Sequence, residues 1–138
     1  MEGTFRTMDE SWRKVAHEKI KNIATSVAKG LDCECDIEIK EGYPCLYNDV
    51  MLTEKLQSYA AEIIGEENIM ESNIWMASED FAYYSQNFDS CFYLLGAGYT
   101  NNTERNLLHS STLDLNEEAL LTGMSVMSYI TLRYLEYD

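Results

Sequence analysis

Proline, histidine and positive charge are all scarce in this chain. Its one proline is Pro44, and its two histidines are His17 and His109. Ten Lys and Arg stand against 24 Asp and Glu, a formal net charge of −14. A surface of that sign repels phosphate backbones and anionic headgroups, because binding them works through cationic neutralisation and counterion release. Neither nucleic acid nor a membrane is therefore an expected partner. Also missing is any apolar run near the roughly 20 residues that a membrane helix needs. The opening residues Met1 to Thr7 lack a basic region followed by an apolar stretch, so no secretory signal is expected and a cytoplasmic location is read.

Cysteine is present but badly spaced for structural zinc. Cys33 and Cys35 have one residue between them, where structural sites use two to four, and no second pair follows among Cys45 and Cys91. The expectation is four free thiols, buried or half-buried, packing as small hydrophobes.

What remains is an ordinary globular composition: 138 residues, 46% hydrophobic and 25% charged. That is enough for one domain or for parts of two. Thr7-x-x-Glu10 has the form of a capping box, and Trp12, Ala16, Ile20, Ile23 and Val27 recur at helical spacing up to Gly30. Leu31, Cys33, Cys35, Ile37 and Ile39 then alternate with acidic residues, the pattern of a strand buried on one face. A second short strand is expected at Thr4–Thr7. The texture changes at Pro44, where a domain boundary is placed. Asn48 or Asp49 can cap a second helix with Leu52, Leu56, Tyr59 or Ala60 and Ile63 on one face, closed by Gly65. A short strand is expected within 66–77, and Ser78 is read as the N-cap of a short helix with Glu79 and Asp80 in its first turn. Cys91 to Leu95 reads as a strand covered on both faces. Asn116 caps a long helix with Leu120, Met124, Met127, Ile130 and Tyr134 on one face.

The order is βαβ, a boundary, then αβαβ and a terminal helix, which predicts α/β or α+β architecture. Two strands rarely make a stable sheet, so the first part reads as incomplete. His17 shares a helix face with Arg13 and Lys21 and is read as solvated. His109 stands between an apolar pair and two serines beside a loop, where a rigid scaffold commonly holds a ligand or catalytic group. A histidine hydrogen-bonded within the core is its plain alternative. For Glu79 and Asp80 the plain alternative is favourable interaction with the helix macrodipole, and for Arg6 it is a surface charge.

Several segments then converge in one order. They are Gly3-Thr4-Phe5-Arg6-Thr7 before a helix, Tyr43-Pro44 with Asn48-Asp49, Ala77-Ser78-Glu79-Asp80-Phe81, Leu94-Leu95-Gly96, and His109-Ser110-Ser111 with Asp114 and Glu117-Glu118-Ala119-Leu120. Together they resemble the C-terminal portion of the metal-dependent amidohydrolases that include hippurate hydrolase, N-acyl-amino-acid amidohydrolases and plant auxin-conjugate hydrolases. The chain departs from that pattern at Ala77, Cys45 and Ser111, where the family has glycine, proline and proline.

The resemblance implies a fragment of a two-domain metallopeptidase-like enzyme. Residues 1–45 would be the C-terminal half of an α+β lid and dimerisation domain, and residues 46–138 the C-terminal part of an α/β catalytic domain. It implies His109 as a ligand of one of two divalent ions, zinc or manganese. Glu79 would lie near the cleft, and Arg6 would help bind a substrate carboxylate. The remaining ligands and the general-base Glu would lie upstream, so no catalytic residue is expected here and the isolated chain should be inactive. The substrate implied is an N-acyl amino acid or related small amide, and the partner a second copy joined through the lid. A non-catalytic dimerisation or binding module is the alternative.

Overall fold

The computed structural model describes residues 1–99 and 108–137. They form two compact units, Met1–Tyr47 with Ser72–Asp89, and Asn48–Glu71 with Ser90–Asp138.

The first unit is built on α1 (Glu10–Gly30). Its cap is Asp9, whose carboxylate accepts the Trp12 N–H at 2.9 Å and the Ser11 hydroxyl at 2.6 Å. The expected Thr7–Glu10 box is therefore displaced. Thr7 Oγ1 accepts the Asp9 N–H at 3.2 Å, and Glu10 accepts the Cys45 N–H at 2.7 Å while pairing with Arg13 at 2.6 Å. The exit also differs from expectation. Gly30 stays helical, and the left-handed residue is Asp32, φ 51°, a conformation Asp adopts more readily than most. Four residues, Ala82–Ser85, form α3, with Ala82 fully buried. Against it sits the segment after Gly42: Gln86 Nε2 donates to the Cys45 carbonyl at 2.9 Å, and the Tyr43 and Tyr83 rings meet edge-on at 5.8 Å.

The second unit pairs α2 (Val50–Ile64) with α4 (Glu118–Tyr137). Asp49 caps α2 by accepting the Leu52 N–H at 2.8 Å. Gly65 closes it at φ 84°, where a side chain would be strained. Ala60 lets the helices approach, and Val126 and Ile130 pack on it within a ring of Leu56, Tyr59, Ile64 and Ile69. Beside this core Glu62 accepts from the Tyr129 hydroxyl at 2.5 Å and from Arg133 at 2.9 Å, and Arg133 lies over the Tyr59 ring. Asn116 takes the Glu118 N–H at 3.0 Å, as a cap for α4 should.

Asn48 does something different from capping. Its amide donates to the Phe92 carbonyl at 2.8 Å and accepts the Phe92 N–H at 2.8 Å. The Asp49 N–H bonds to the Ser90 carbonyl at 2.8 Å. One side chain thus stands in for a neighbouring strand and pins 90–92 to the start of α2.

The Arg133 and Tyr129 hydrogen bonds, in that order, hold the Glu62 carboxyl below its ordinary range. The native state then binds fewer protons than the unfolded chain in mild acid, so this contribution is complete above the ordinary Glu range and lost as pH falls through the lowered value. Thermal melts should show the midpoint falling on acidification from pH 6 towards 3, with a shallower fall in Glu62→Gln.

The α/β architecture expected from the alternation of elements is not confirmed by the described residues, although the reading of the chain as a fragment of a two-domain hydrolase is consistent with it. Among the described residues there are helices and no strand. Thr4–Thr7, Leu31–Ile39 and Cys91–Leu95 are not in ladders, and in 66–77 the regular element is a 3₁₀ turn at Glu66–Asn68. The physical reason is that alternation makes a segment fit for pairing, whereas a strand exists only once a neighbour accepts its N–H and C=O groups. The short helix also begins later than Ser78, because Glu79 and Asp80 form the turn that leads into it. The cysteine expectation fails for half the set: all four thiols are free, Cys45 and Cys91 are half-buried, and Cys33 and Cys35 are exposed on the unpaired segment.

Candidate functional site

Two of the three site residues expected from the sequence fall in the first unit. Arg6 is exposed, and its guanidinium donates to the Met76 carbonyl. That contact ties the start of the chain to the run Met76-Ala77-Ser78-Glu79. Glu79 is half-buried, and its carboxylate accepts the Phe81 N–H at 3.1 Å while its carbonyl accepts the Ala82 N–H at 3.3 Å. Its immediate work is to hold the turn into α3. A guanidinium has five donors in a fork, so one bond to a carbonyl leaves others for a carboxylate.

His109 belongs to the second unit. It lies in a turn, exposed, with φ 65°. Histidine is among the few residues enriched in the left-handed region, and such a residue in a non-glycine position marks a constrained turn. Leu113 closes the following turn on the Ser110 carbonyl at 3.3 Å. His109 is thus neither at the end of a strand nor buried in a core. His17, on α1, is half-buried and meets the Phe5 ring edge-on at 6.4 Å, so it is less solvated than its helix face suggested. Residues 100–107, which precede His109 closely in sequence, lie outside the described residues.

A cluster that sequence reasoning did not single out surrounds Cys45. Besides the Glu10 and Gln86 bonds, its sulfur lies 3.7 Å from the Met8 sulfur, and the neighbouring Tyr47 hydroxyl donates to the Met8 carbonyl. Hydrogen bonding with Cys45, then burial, raise the Tyr47 phenol above its ordinary range. The contacts that bring Glu10, Met8 and Gln86 to Cys45 and Tyr47 span more than thirty residues, so no local pattern could have announced the cluster.

The sequence matches Peptidase family M20/M25/M40 over residues 4–133. The chain belongs to this family. Among curated relatives, YhaA of Bacillus subtilis (strain 168), named as an amidohydrolase, is 28% identical over 132 residues, 96% of this chain and 33% of that protein. N-acetyldiaminopimelate deacetylase of Brevibacillus brevis is 25% identical over 128 residues, 93% of this chain and 33% of its own length. IAA-amino acid hydrolase ILR1-like 4 of Arabidopsis thaliana is 27% identical over 137 residues, 96% and 31%. The chain therefore spans about a third of the length of the curated relatives it matches. No solved structure matches it. No helix among the described residues is long and apolar enough to cross a membrane.

Peptidases of this family are in general metal-dependent, which makes the donor set the next test. Among the described residues no group of three or more His, Cys, Asp and Glu is placed to hold an ion. A hydrolytic centre needs about three protein ligands and an open position. His109 on its own does not meet that requirement, and the described residues do not fit a complete metal site. Equilibrium dialysis of the purified chain against zinc should accordingly leave less than one retained ion per chain. One tightly held zinc per chain would refute this and direct attention to Cys33 and Cys35.

Proposed function

We propose that this chain is part of an amidohydrolase that cleaves the amide bond of an N-acyl amino acid or a related small amide. The observation that carries the reading is the family match across nearly the whole chain. Two relatives support the substrate class through their names, one a deacetylase of an N-acetylated amino acid and one a hydrolase of IAA–amino acid conjugates. In this reading residues 1–45 form half of a lid and residues 46–138 part of the catalytic domain. His109 supplies one ligand to a divalent ion, zinc or manganese, one of two in the whole enzyme. Arg6 receives the substrate carboxylate, and Glu79 shapes the cleft wall by holding the turn into α3.

The chain's own contribution is positioning. Arg6 is tethered through Met76 to the segment that carries Glu79, so a carboxylate bound by its free N–H groups would sit beside that turn. The isolated chain should have no hydrolytic activity. The enzyme is read as cytoplasmic and as a homo-oligomer joined through the lid segment.

The test is a chimera in which this chain replaces the matching third of YhaA. Hydrolysis of N-acetyl and N-benzoyl amino acids, absent from the isolated chain and present in the chimera, is the expected result. A stable, correctly folded chimera that hydrolyses neither would overturn the reading.

A further inference from the structure

Helices α1 and α3 are joined by a piece of chain that belongs to neither. Among the described residues the two helices do not pack on each other, and residues 43–47 bond to both. Towards α1, Glu10 accepts the Cys45 N–H at 2.7 Å, Arg13 donates to the Tyr43 carbonyl at 3.1 Å, and the Tyr47 hydroxyl donates to the Met8 carbonyl. Arg13 also holds the other Glu10 oxygen at 2.6 Å, so the carboxylate offered to Cys45 is itself fixed. Towards α3, Gln86 Nε2 donates to the Cys45 carbonyl at 2.9 Å, and Ser85 Oγ accepts the Tyr47 N–H at 3.4 Å. The two sets meet at Cys45. Its N–H is taken by the first residue of α1 and its C=O by the residue that follows α3. Where the amidohydrolases that the sequence resembles have proline, which has no N–H to give, this chain has a residue that can donate to Glu10.

We propose that Glu10 and Gln86 are positioning residues, which grip the Cys45 peptide from both sides and so set where Arg6 stands relative to the Glu79 turn. Arg6 lies just before α1 and Glu79 just before α3. The bond from Arg6 to the Met76 carbonyl fixes one point of the guanidinium. A carboxylate is received by a planar fork of donors, so the direction of the remaining N–H groups matters as much as their presence. A second fixed relation, between the helix that follows Arg6 and the helix that follows Glu79, supplies that direction. Neither Glu10 nor Gln86 touches the substrate; both act through the peptide between them. The proposal rests on the reading of Arg6 as the receiver of the substrate carboxylate.

Amide exchange measured by NMR on the full chain tests the coupling. Gln86→Ala removes the grip on the α3 side and should speed exchange of the Cys45 N–H, which Glu10 holds from the other. Glu10→Ala should speed exchange of the Phe81 and Ala82 N–H groups, which Glu79 holds, and Glu10→Gln, which keeps an acceptor, should restore them. Cys45→Ala keeps the peptide and should leave all three amides at their original rates. Gln86 is exposed, so its variant should fold, and an unchanged circular dichroism spectrum would confirm it. In the chimera with YhaA, Gln86→Ala should raise KM for N-acetyl amino acids about three- to tenfold with kcat little changed, as for one hydrogen bond that serves binding alone. In an Arg6→Ala background the same change should add nothing, because the group being aimed is gone. Exchange effects confined to the substituted side overturn the proposal, as does loosening by Cys45→Ala, which would place the hold on the sulfur. A KM untouched by Gln86→Ala but raised by Arg6→Ala also overturns it, and leaves the amidohydrolase reading standing. A KM untouched by Arg6→Ala overturns it as well. A chimera without activity fails that reading instead, and the exchange rates then decide the coupling.

Discussion

His109→Ala, made in the chimera with YhaA, should lower amide hydrolysis at least about 100-fold, whereas His17→Ala should leave it within about twofold. Losing a group that merely supports a metal ligand already costs about 10–100-fold, and a direct ligand should cost no less. The turn that carries His109 is exposed, so removing the imidazole leaves no cavity, and the melt should fall only by the small extra strain of alanine at φ 65°. His17 sits on α1 against Phe5, away from any donor cluster among the described residues. Steady-state kinetics with metal analysis of both variants would check this. Equal and mild effects would make His109 a turn residue chosen for its left-handed backbone.

The second large effect concerns stability. Ile130→Ala should destabilise the unit that holds α2 and α4 by about 2–5 kcal/mol, the range for truncating a buried Ile. Ile130 is 4% exposed, and among the described residues the buried cluster it belongs to has only Ala60 and Val126 besides. A core this small has little to redistribute when one member is lost. Marginal stability of the whole is normally 5–15 kcal/mol, so such a loss is a large fraction of it. Leu120→Ala, on the same helix but 69% exposed, should change the urea midpoint of the dilute chain little. Comparable losses at both positions would mean that the uncovered face of α4 is packed in solution.

The helices were legible because their signals are local. Asp49 and Gly65 bound α2 as its sequence suggests, and Asn116 opens α4. Even here the detail moved: Asp9 took the cap from Thr7 because its carboxylate reaches both Ser11 and Trp12. The strands were not legible in the same sense. Leu31 to Ile39 carries the alternation of a half-buried strand, but a ladder also requires a partner, and no property of the nine residues supplies one. The face of α4 shows a related difficulty. Periodicity identified Leu120, Met124, Met127, Ile130 and Tyr134 as one stripe, yet packing on α2 chose Val126 and Ile130 for the buried cluster, because Ala60 offers its gap to that side. For the site, spacing alone gave nothing decisive. Arg6 and the Glu79 turn meet through a bond spanning seventy residues, and His109 was marked mainly by resemblance to the amidohydrolases, with its unusual backbone visible only in the structure.

Asn48 carries a consequence for how substitutions in this chain should be interpreted. It is exposed, and by accessibility alone it would rank among the freely replaceable positions. Its amide, however, presents one donor and one acceptor to the same Phe92 backbone, in the alternation a paired peptide would offer. Aspartate has the size but only acceptors, so it would face the Phe92 carbonyl with a negative oxygen; serine falls short of both atoms; glutamine reaches past them. A saturation library scored for folding should therefore show a surface residue nearly as intolerant as Ile130. Slow conversion of this amide to a carboxylate on storage would loosen the 90–92 segment with no change in chain mass beyond about one unit.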